Sequence, residues 1–132
     1  MQLNINMIGI ITDDVPAMKS FYTEILGMEI ILEMEDKYVE FKQNGVRFAL
    51  SSAAVMKEAT GQEEYLHKAS GHSFELAFKV DTPEQVDEEY AKLIEKGAQA
   101  IQAPADMPWN QRTAFFADPD GNIHELFAEL KK

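Results

Sequence analysis

The chain has no cysteine, which removes three kinds of chemistry at once: a disulfide framework, a thiolate metal site and a thiol nucleophile. It has no apolar run of membrane-spanning length, and its N-terminus lacks the basic-then-apolar pattern of a secretory signal, so the expected setting is cytoplasmic. Basic residues are scarce: 12 Lys and Arg stand against 23 Asp and Glu, a formal net charge of −11. No basic stretch is dense enough to overcome that balance, which argues against nucleic acid and anionic membranes as partners. Histidine and tryptophan are rarer still, at three and one. What remains is 132 residues, 45% hydrophobic and 27% charged, the profile of one globular domain with a real core.

Two segments share one shape. Asn44-Gly45-Val46-Arg47-Phe48-Ala49-Leu50-Ser51 and Asp118-Pro119-Asp120-Gly121-Asn122-Ile123-His124-Glu125-Leu126 each read as a turn followed by a strand. Laying Gly45 on Gly121 pairs Ala49 with Glu125: a methyl in one copy, a carboxylate in the other. The repeat organises the rest of the chain. Ile5–Thr12 reads as a strand, Asp13 or Asp14 as the cap of a helix over about Pro16–Leu26, and Gly27 as its stop. Met18, Phe21, Tyr22, Ile25 and Leu26 make that helix amphipathic. Strands are expected at Met28–Met34, Tyr38–Gln43 and Val46–Ser51. The second copy opens with a strand over Ser73–Val80, followed by Thr82-Pro83-Glu84-Gln85, a capping box with proline in the first turn. Its helix buries Val86, Tyr90, Leu93 and Ile94 and stops at Gly97; strands follow near Gln99–Gln102, Arg112–Ala117 and Asn122–Ala128. The order βαβββ occurs twice, as repeat one (3–52) and repeat two (72–130), in a single domain spanning 1–132. The crossover, 53–71, is polar and acidic with room for one short helix.

The segment Asp14-Val15-Pro16 through Phe21-Tyr22-Thr23-Glu24-Ile25-Leu26-Gly27, the stretch Trp109-Asn110-Gln111-Arg112 and the Asp118–Asn122 turn ahead of Glu125-Leu126 resemble the vicinal oxygen chelate superfamily. That superfamily includes glyoxalase I, extradiol dioxygenases, fosfomycin-modifying enzymes and bleomycin-resistance proteins. The resemblance implies an α+β fold in which two βαβββ repeats form a cupped mixed sheet with helices on the convex side, and a homodimer. A fold of this kind hosts unrelated chemistries, so it names no substrate.

Alternation along the strands then sorts side chains by face. Phe74, Leu76, Phe78 and Val80 share the helix-facing side; Glu75, Ala77 and Lys79 take the other, which the resemblance makes the concave wall. Gly9, Ile11, Arg47, Ala49, Ile123, Glu125 and Phe127 are expected on that wall. Arg112, Ala114 and Phe116 join them if Phe115 and Ala117 match Val39 and Phe41 as helix-facing residues. In metal-dependent members the ligands come from the first and last strands of each repeat; carried over, those positions are Met7, Ala49, Glu75 and Glu125. Alanine has no donor and a thioether is a poor ligand for a hard cation, so the usual metal centre is absent and no cofactor is expected. Among the histidines, His67 lies in the crossover, His124 points to the helix side, and His72 could approach Glu75 only in a shifted register.

The expected function is therefore non-catalytic binding of a small organic molecule, cationic or aromatic in character, in the manner of bleomycin-resistance proteins. Glu75 and Glu125 would supply attraction, Arg47 and Arg112 would offset their charge, and Trp109, Phe116 and Met7 would line the cavity. The alternative is a metal-dependent lyase or dioxygenase with an atypical site built on Glu75 and Glu125; a third reading is a purely assembly-forming role. Asp118 and Asp120 read as turn formers rather than catalysts.

Overall fold

The computed structural model of the protein describes residues 1–68, 70–72 and 74–131; Ala69 in the crossover and Ser73, the expected start of a strand, lie outside them. The chain divides into two compact units, Met1–Ser70 and Gly71–Lys132. In the first, β1 (Met7–Thr12) leads to α1 (Val15–Ser20), then β2 (Ile30–Met34), β3 (Tyr38–Phe41) and β4 (Arg47–Ser52), and finally α2 (Ala53–Thr60) with a 3-10 turn over Glu63–Leu66. In the second, β5 (Ala77–Lys79) precedes α3 (Pro83–Glu95), β6 (Gln99–Met107), β7 (Gln111–Ala117) and β8 (Ile123–Glu129). Each unit holds one mixed four-stranded sheet, ordered β1-β4-β3-β2 and β5-β8-β7-β6. The outer pairs β1/β4 and β5/β8 are parallel, and the remaining pairs are antiparallel. The α+β class and the twofold βαβββ order are those expected. Among the described residues no helix is long and apolar enough to cross a membrane.

Local chemistry fixes the helix starts. Asp14 accepts from the Ala17 amide at 3.1 Å. Thr82 and Gln85 form the reciprocal box, the Thr82 hydroxyl accepting from Gln85 N at 3.2 Å and Gln85 Oε1 accepting from Thr82 N at 3.0 Å. The first helix differs from the single helix expected over Pro16–Leu26. It is α-helical only to Ser20 and widens into a π-helical turn at Phe21–Ile25. Phe21 and Tyr22 are both nearly inaccessible and pack edge to face, 5.1 Å between ring centres. Neighbouring residues on a regular helix diverge by about 100°, so a wider turn at this pair helps both rings reach the core.

One face of each sheet packs on its helices. In the first unit Ile10, Val39, Phe41, Phe48 and Leu50 close on Met18, Phe21 and Tyr22, and the Phe41 and Phe48 rings stack at 5.7 Å. In the second, Phe116, Leu126 and Ala128 lie under α3 with Val86 and Tyr90, and Phe78 stacks on Phe116 at 6.2 Å. The turn residues behave as read: Gly45 and Gly121 have φ of 86° and 87°, a region that side-chain-bearing residues avoid. Asp118 Oδ1 accepts from the amides of Asp120 and Asn122 at 3.0 and 2.9 Å.

The strand β6 is longer than the four residues expected. It forms an outer edge, carries Pro104, and its pairing with β7 shifts register twice, between Ala100 and Gln102 and between Gln102 and Ala105. A proline has no amide hydrogen to give to a ladder, and an irregular edge is where it fits.

Candidate functional site

The open faces of the two sheets are defined by strand register. In the first unit Met7 lies beside Arg47, Gly9 beside Ala49 and Ile11 beside Ser51. Ala49 and Ser51 are in turn opposite Glu40 and Tyr38, and Leu32 and Met34 are opposite those same two residues on the other side. One face thus carries Met7, Arg47, Ala49, Tyr38 and Glu40 together. The opposite parity, with Phe48, Leu50, Val39 and Phe41, belongs to the core.

Glu40 is the residue that the sequence reading passed over. It sits on an inner strand and is only 5% exposed. Its carboxylate is held by Arg47 in a bidentate pair, Nε to Oε2 at 2.8 Å and Nη2 to Oε1 at 2.7 Å. The Tyr38 hydroxyl donates to Oε1 at 2.8 Å. These donors, Arg47 foremost, hold the Glu40 carboxyl down to about 2, and the pairing pushes the Arg47 guanidinium up. Arg47 also reaches Asn6 Oδ1 through Nη1, at 3.3 Å. The signal was present: once Val39 and Phe41 are assigned to the core, alternation puts Glu40 between them on the open face.

In the second unit Ala77 lies beside Glu125 and Lys79 beside Phe127. Glu125 and Phe127 are opposite Phe115 and Thr113. The open face therefore carries Glu125, Phe127, Ala77, Lys79, Phe115 and Thr113. Glu125 is half-buried, and its carboxylate has no hydrogen-bond partner among the described residues. Burial, and then the charge of Glu75, push its proton affinity upward. Glu75 is exposed, just ahead of β5. The Thr113 hydroxyl is fully buried and also has no partner among the described residues.

The expected position of Arg112, Ala114 and Phe116 on this face is corrected by the register. Phe116 is opposite His124 and Arg112 opposite Ala128, so all three belong to the helix side. Phe116 is fully buried against Phe78 and His124 and offers no surface to a guest. Arg112 offsets neither Glu75 nor Glu125. It is tied to Asp87 of α3 at 2.8 Å and to Asp106 of β6 at 2.9 Å, beside an open groove of about 810 Å³ that also meets Asp81 and Glu84. The cause is a one-residue step: Phe115, not Phe116, takes the place opposite Glu125 that Glu40 takes opposite Ala49. A slip of one residue exchanges every side chain between the faces of a strand.

His124 keeps the parity expected of it. It is fully buried on the helix side, its Nδ1 accepting from Leu76 N at 3.1 Å and its Nε2 lying 3.4 Å from Asp118 Oδ2. His67 is exposed beside Glu64, and His72 is exposed in the segment before β5. Trp109, 56% exposed, occupies the turn between β6 and β7.

The donor set does not fit a metal of the kind that the sequence resemblance implies. In the first unit Met7 offers a thioether 3.6 Å from the Tyr38 hydroxyl, Ala49 offers nothing, and the one nearby carboxylate, Glu40, is committed to Arg47. In the second, Glu125 and Glu75 stand without a third ligand. Among the described residues no three His, Asp or Glu side chains converge as a metal would require.

The description "Glyoxalase/Bleomycin resistance protein/Dioxygenase superfamily" matches residues 4–126. The uncharacterized protein YraH of Bacillus subtilis (strain 168) is 35% identical over 126 residues, 93% of this chain and 96% of YraH. A crystal structure of a glyoxalase/bleomycin resistance protein/dioxygenase from Nocardioides superposes with a TM-score of 0.88 at 31% identity, covering 99% of this chain and 86% of that one. A family enzyme from Burkholderia phytofirmans PsJN gives 0.85 at 25% identity, covering 97% and 100%.

Proposed function

The chain belongs to the glyoxalase/bleomycin resistance/dioxygenase superfamily, and from that premise we propose that it binds a small organic molecule without the metal centre of the family's enzymes. The observation that carries the reading is the open face of the second unit. It combines a half-buried carboxylate, Glu125, which has no hydrogen-bond partner among the described residues, with the rings of Phe115 and Phe127. A buried polar group left without a partner costs about 1–3 kcal/mol, and a guest that supplies hydrogen bonds and positive charge removes that cost. An apolar wall with a few convergent polar groups is the usual form of a small-molecule site. The preferred guest is an aromatic or apolar cation: Glu125 and Glu75 attract its charge, and Phe115 and Phe127 replace the buried Phe116 as its stacking surface. Trp109 in the second unit and Met7 on the first unit's own open face are further ligand-lining residues, and the protein works as a homodimer.

Three measurements test this. Protein purified without chelators carries no stoichiometric zinc, nickel, iron or manganese by elemental analysis; one such ion per chain, lost in Glu125→Gln, favours the lyase or dioxygenase alternative. A screen of cationic aromatic compounds finds members that raise the melting temperature, as any ligand selective for the native state does, and that Glu125→Gln weakens. If only metal-dependent turnover is found, the binding reading fails. Light scattering gives a dimer mass down to micromolar concentration; a monomer there removes the dimer.

A further inference from the structure

The first unit has a polar centre of the opposite character. A guanidinium carries five N–H donors. Arg47 uses Nε and one hydrogen of Nη2 on Glu40, and one hydrogen of Nη1 on Asn6. One hydrogen remains on each Nη atom, and the Nη1–Nη2 end of the group is its outer fork. The Arg47 side chain is half exposed, whereas its partner Glu40 is almost wholly covered. The plane of the group is therefore fixed from beneath by a bidentate pair while its outer edge stays accessible. On the same face lie the exposed apolar side chains of Met7, Ile11, Leu32 and Met34.

We propose that the outer fork of Arg47, held in place by Glu40, receives the carboxylate of a small molecule that has an apolar body. Two N–H groups in one plane match two carboxylate oxygens, a fit that an ammonium cannot reproduce. The donor is already immobilised, so binding orders few further groups. The net charge of −11 disfavours multiply charged anions, which selects a single carboxylate over a phosphate ester. Glu40 cancels part of the charge, so affinity is modest, with dissociation constants of roughly millimolar order.

This goes beyond the cation reading, which concerns the second unit's carboxylates, and rests only on its premise that open sheet faces receive small molecules. The probes differ, so either can fail alone. Benzoate and its neutral analogue benzamide are titrated at constant ionic strength into 15N-labelled protein, following the Arg47 Nε–H and the backbone amides of Tyr38, Glu40 and Ala49 by NMR. Benzoate shifts these signals and benzamide does not. Arg47→Lys, which keeps the charge and loses the fork, weakens benzoate about tenfold. Glu40→Gln keeps one acceptor oxygen for the inner edge of Arg47 and no longer neutralises it, so benzoate binds severalfold tighter; this variant decides the matter if Arg47→Lys does not fold. Equal shifts from benzamide, or benzoate affinity unchanged in Glu40→Gln, would overturn the proposal. A loss of cation binding in Glu125→Gln with benzoate unaffected leaves both inferences standing and separate.

Discussion

The two repeats place a carboxylate on equivalent sheets and treat it in opposite ways. In the first, Glu40 is on the strand beside β4, covered, and neutralised by Arg47 and Tyr38. In the second, the acid has moved to β8 as Glu125, its cross-strand neighbour is Phe115, and no cation is bonded to it among the described residues. One duplicated scaffold thus carries a carboxylate paired with a cation and one left without such a partner among the described residues. The difference shows that a position's chemistry depends less on whether it holds an acid than on what stands across the strand. Glu40 opposite Ala49 has room for an arginine to reach over the methyl; Glu125 opposite a phenylalanine has an apolar wall instead.

The strongest test of the comparison is the strand register that underlies it. Phe116→Ala removes a fully buried ring and is expected to cost about 3–5 kcal/mol, whereas Phe115→Ala, on the open face, costs clearly less. Urea denaturation measures both, and the reverse order would mean that the faces of β7 are exchanged. Next, Ala49→Glu makes repeat one resemble repeat two. Ala49 has no exposed surface and Glu40 is opposite it, so two carboxylates must share one arginine. The expected loss is about 3 kcal/mol. Adding Glu40→Phe completes the exchange and recovers much of it, because Arg47 is then free for the new acid.

The pH dependence separates the two acids by sign. Glu40 has a folded-state value lowered to about 2, so its contribution is fully present above the ordinary carboxylate range and is lost as pH falls through that range toward about 2. Glu125 is raised, so the folded protein holds a proton that the unfolded chain releases; stability falls as pH rises through that window and the cost persists above it. Wild type therefore loses its advantage over Glu40→Gln on acidification, and at neutral pH Glu125→Gln is the more stable partner of its pair. Denaturation midpoints between pH 2 and 7 check both; two curves of the same sign would erase the contrast. The smallest effect is expected from Trp109→Ala, within about 0.5 kcal/mol in the absence of ligand, since an exposed turn residue contributes little to stability.

Much of the fold was legible because periodicity and caps are local. The repeat, a cap at Asp13 or Asp14, the Thr82–Gln85 box and the Gly45 and Gly121 turns all followed from short-range patterns, and the structure selects Asp14. Met7 and Ala49 could be recognised as poor metal positions for the same reason: their lack of suitable donors is a property of the residues themselves. The π-helical turn at Phe21 was not legible, since it arises with tertiary packing of two adjacent rings rather than from spacing. Nor was the partnership of Glu40 with Arg47, seven residues away across a hairpin; Glu40 itself was passed over, although its place between Val39 and Phe41 puts it on the open face. Phe116 and Arg112 were misplaced because aligning repeats by one strand does not carry register to the next; a single-residue difference between β3 and β7 reversed the assignment.

The edge strand β6 has a consequence for how the protein behaves in company. A row of free amide and carbonyl groups along a sheet margin is a template on which another chain can lay a strand. Here Pro104 has no amide hydrogen to give, and two register shifts interrupt the strand's regular pairing on either side of Gln102. A foreign strand would meet three short, misaligned stretches instead of nine matched residues. The irregularity thus guards this margin against edge-to-edge polymerisation, and any assembly of the protein through its second sheet is directed to faces and side chains rather than to the open edge of β6.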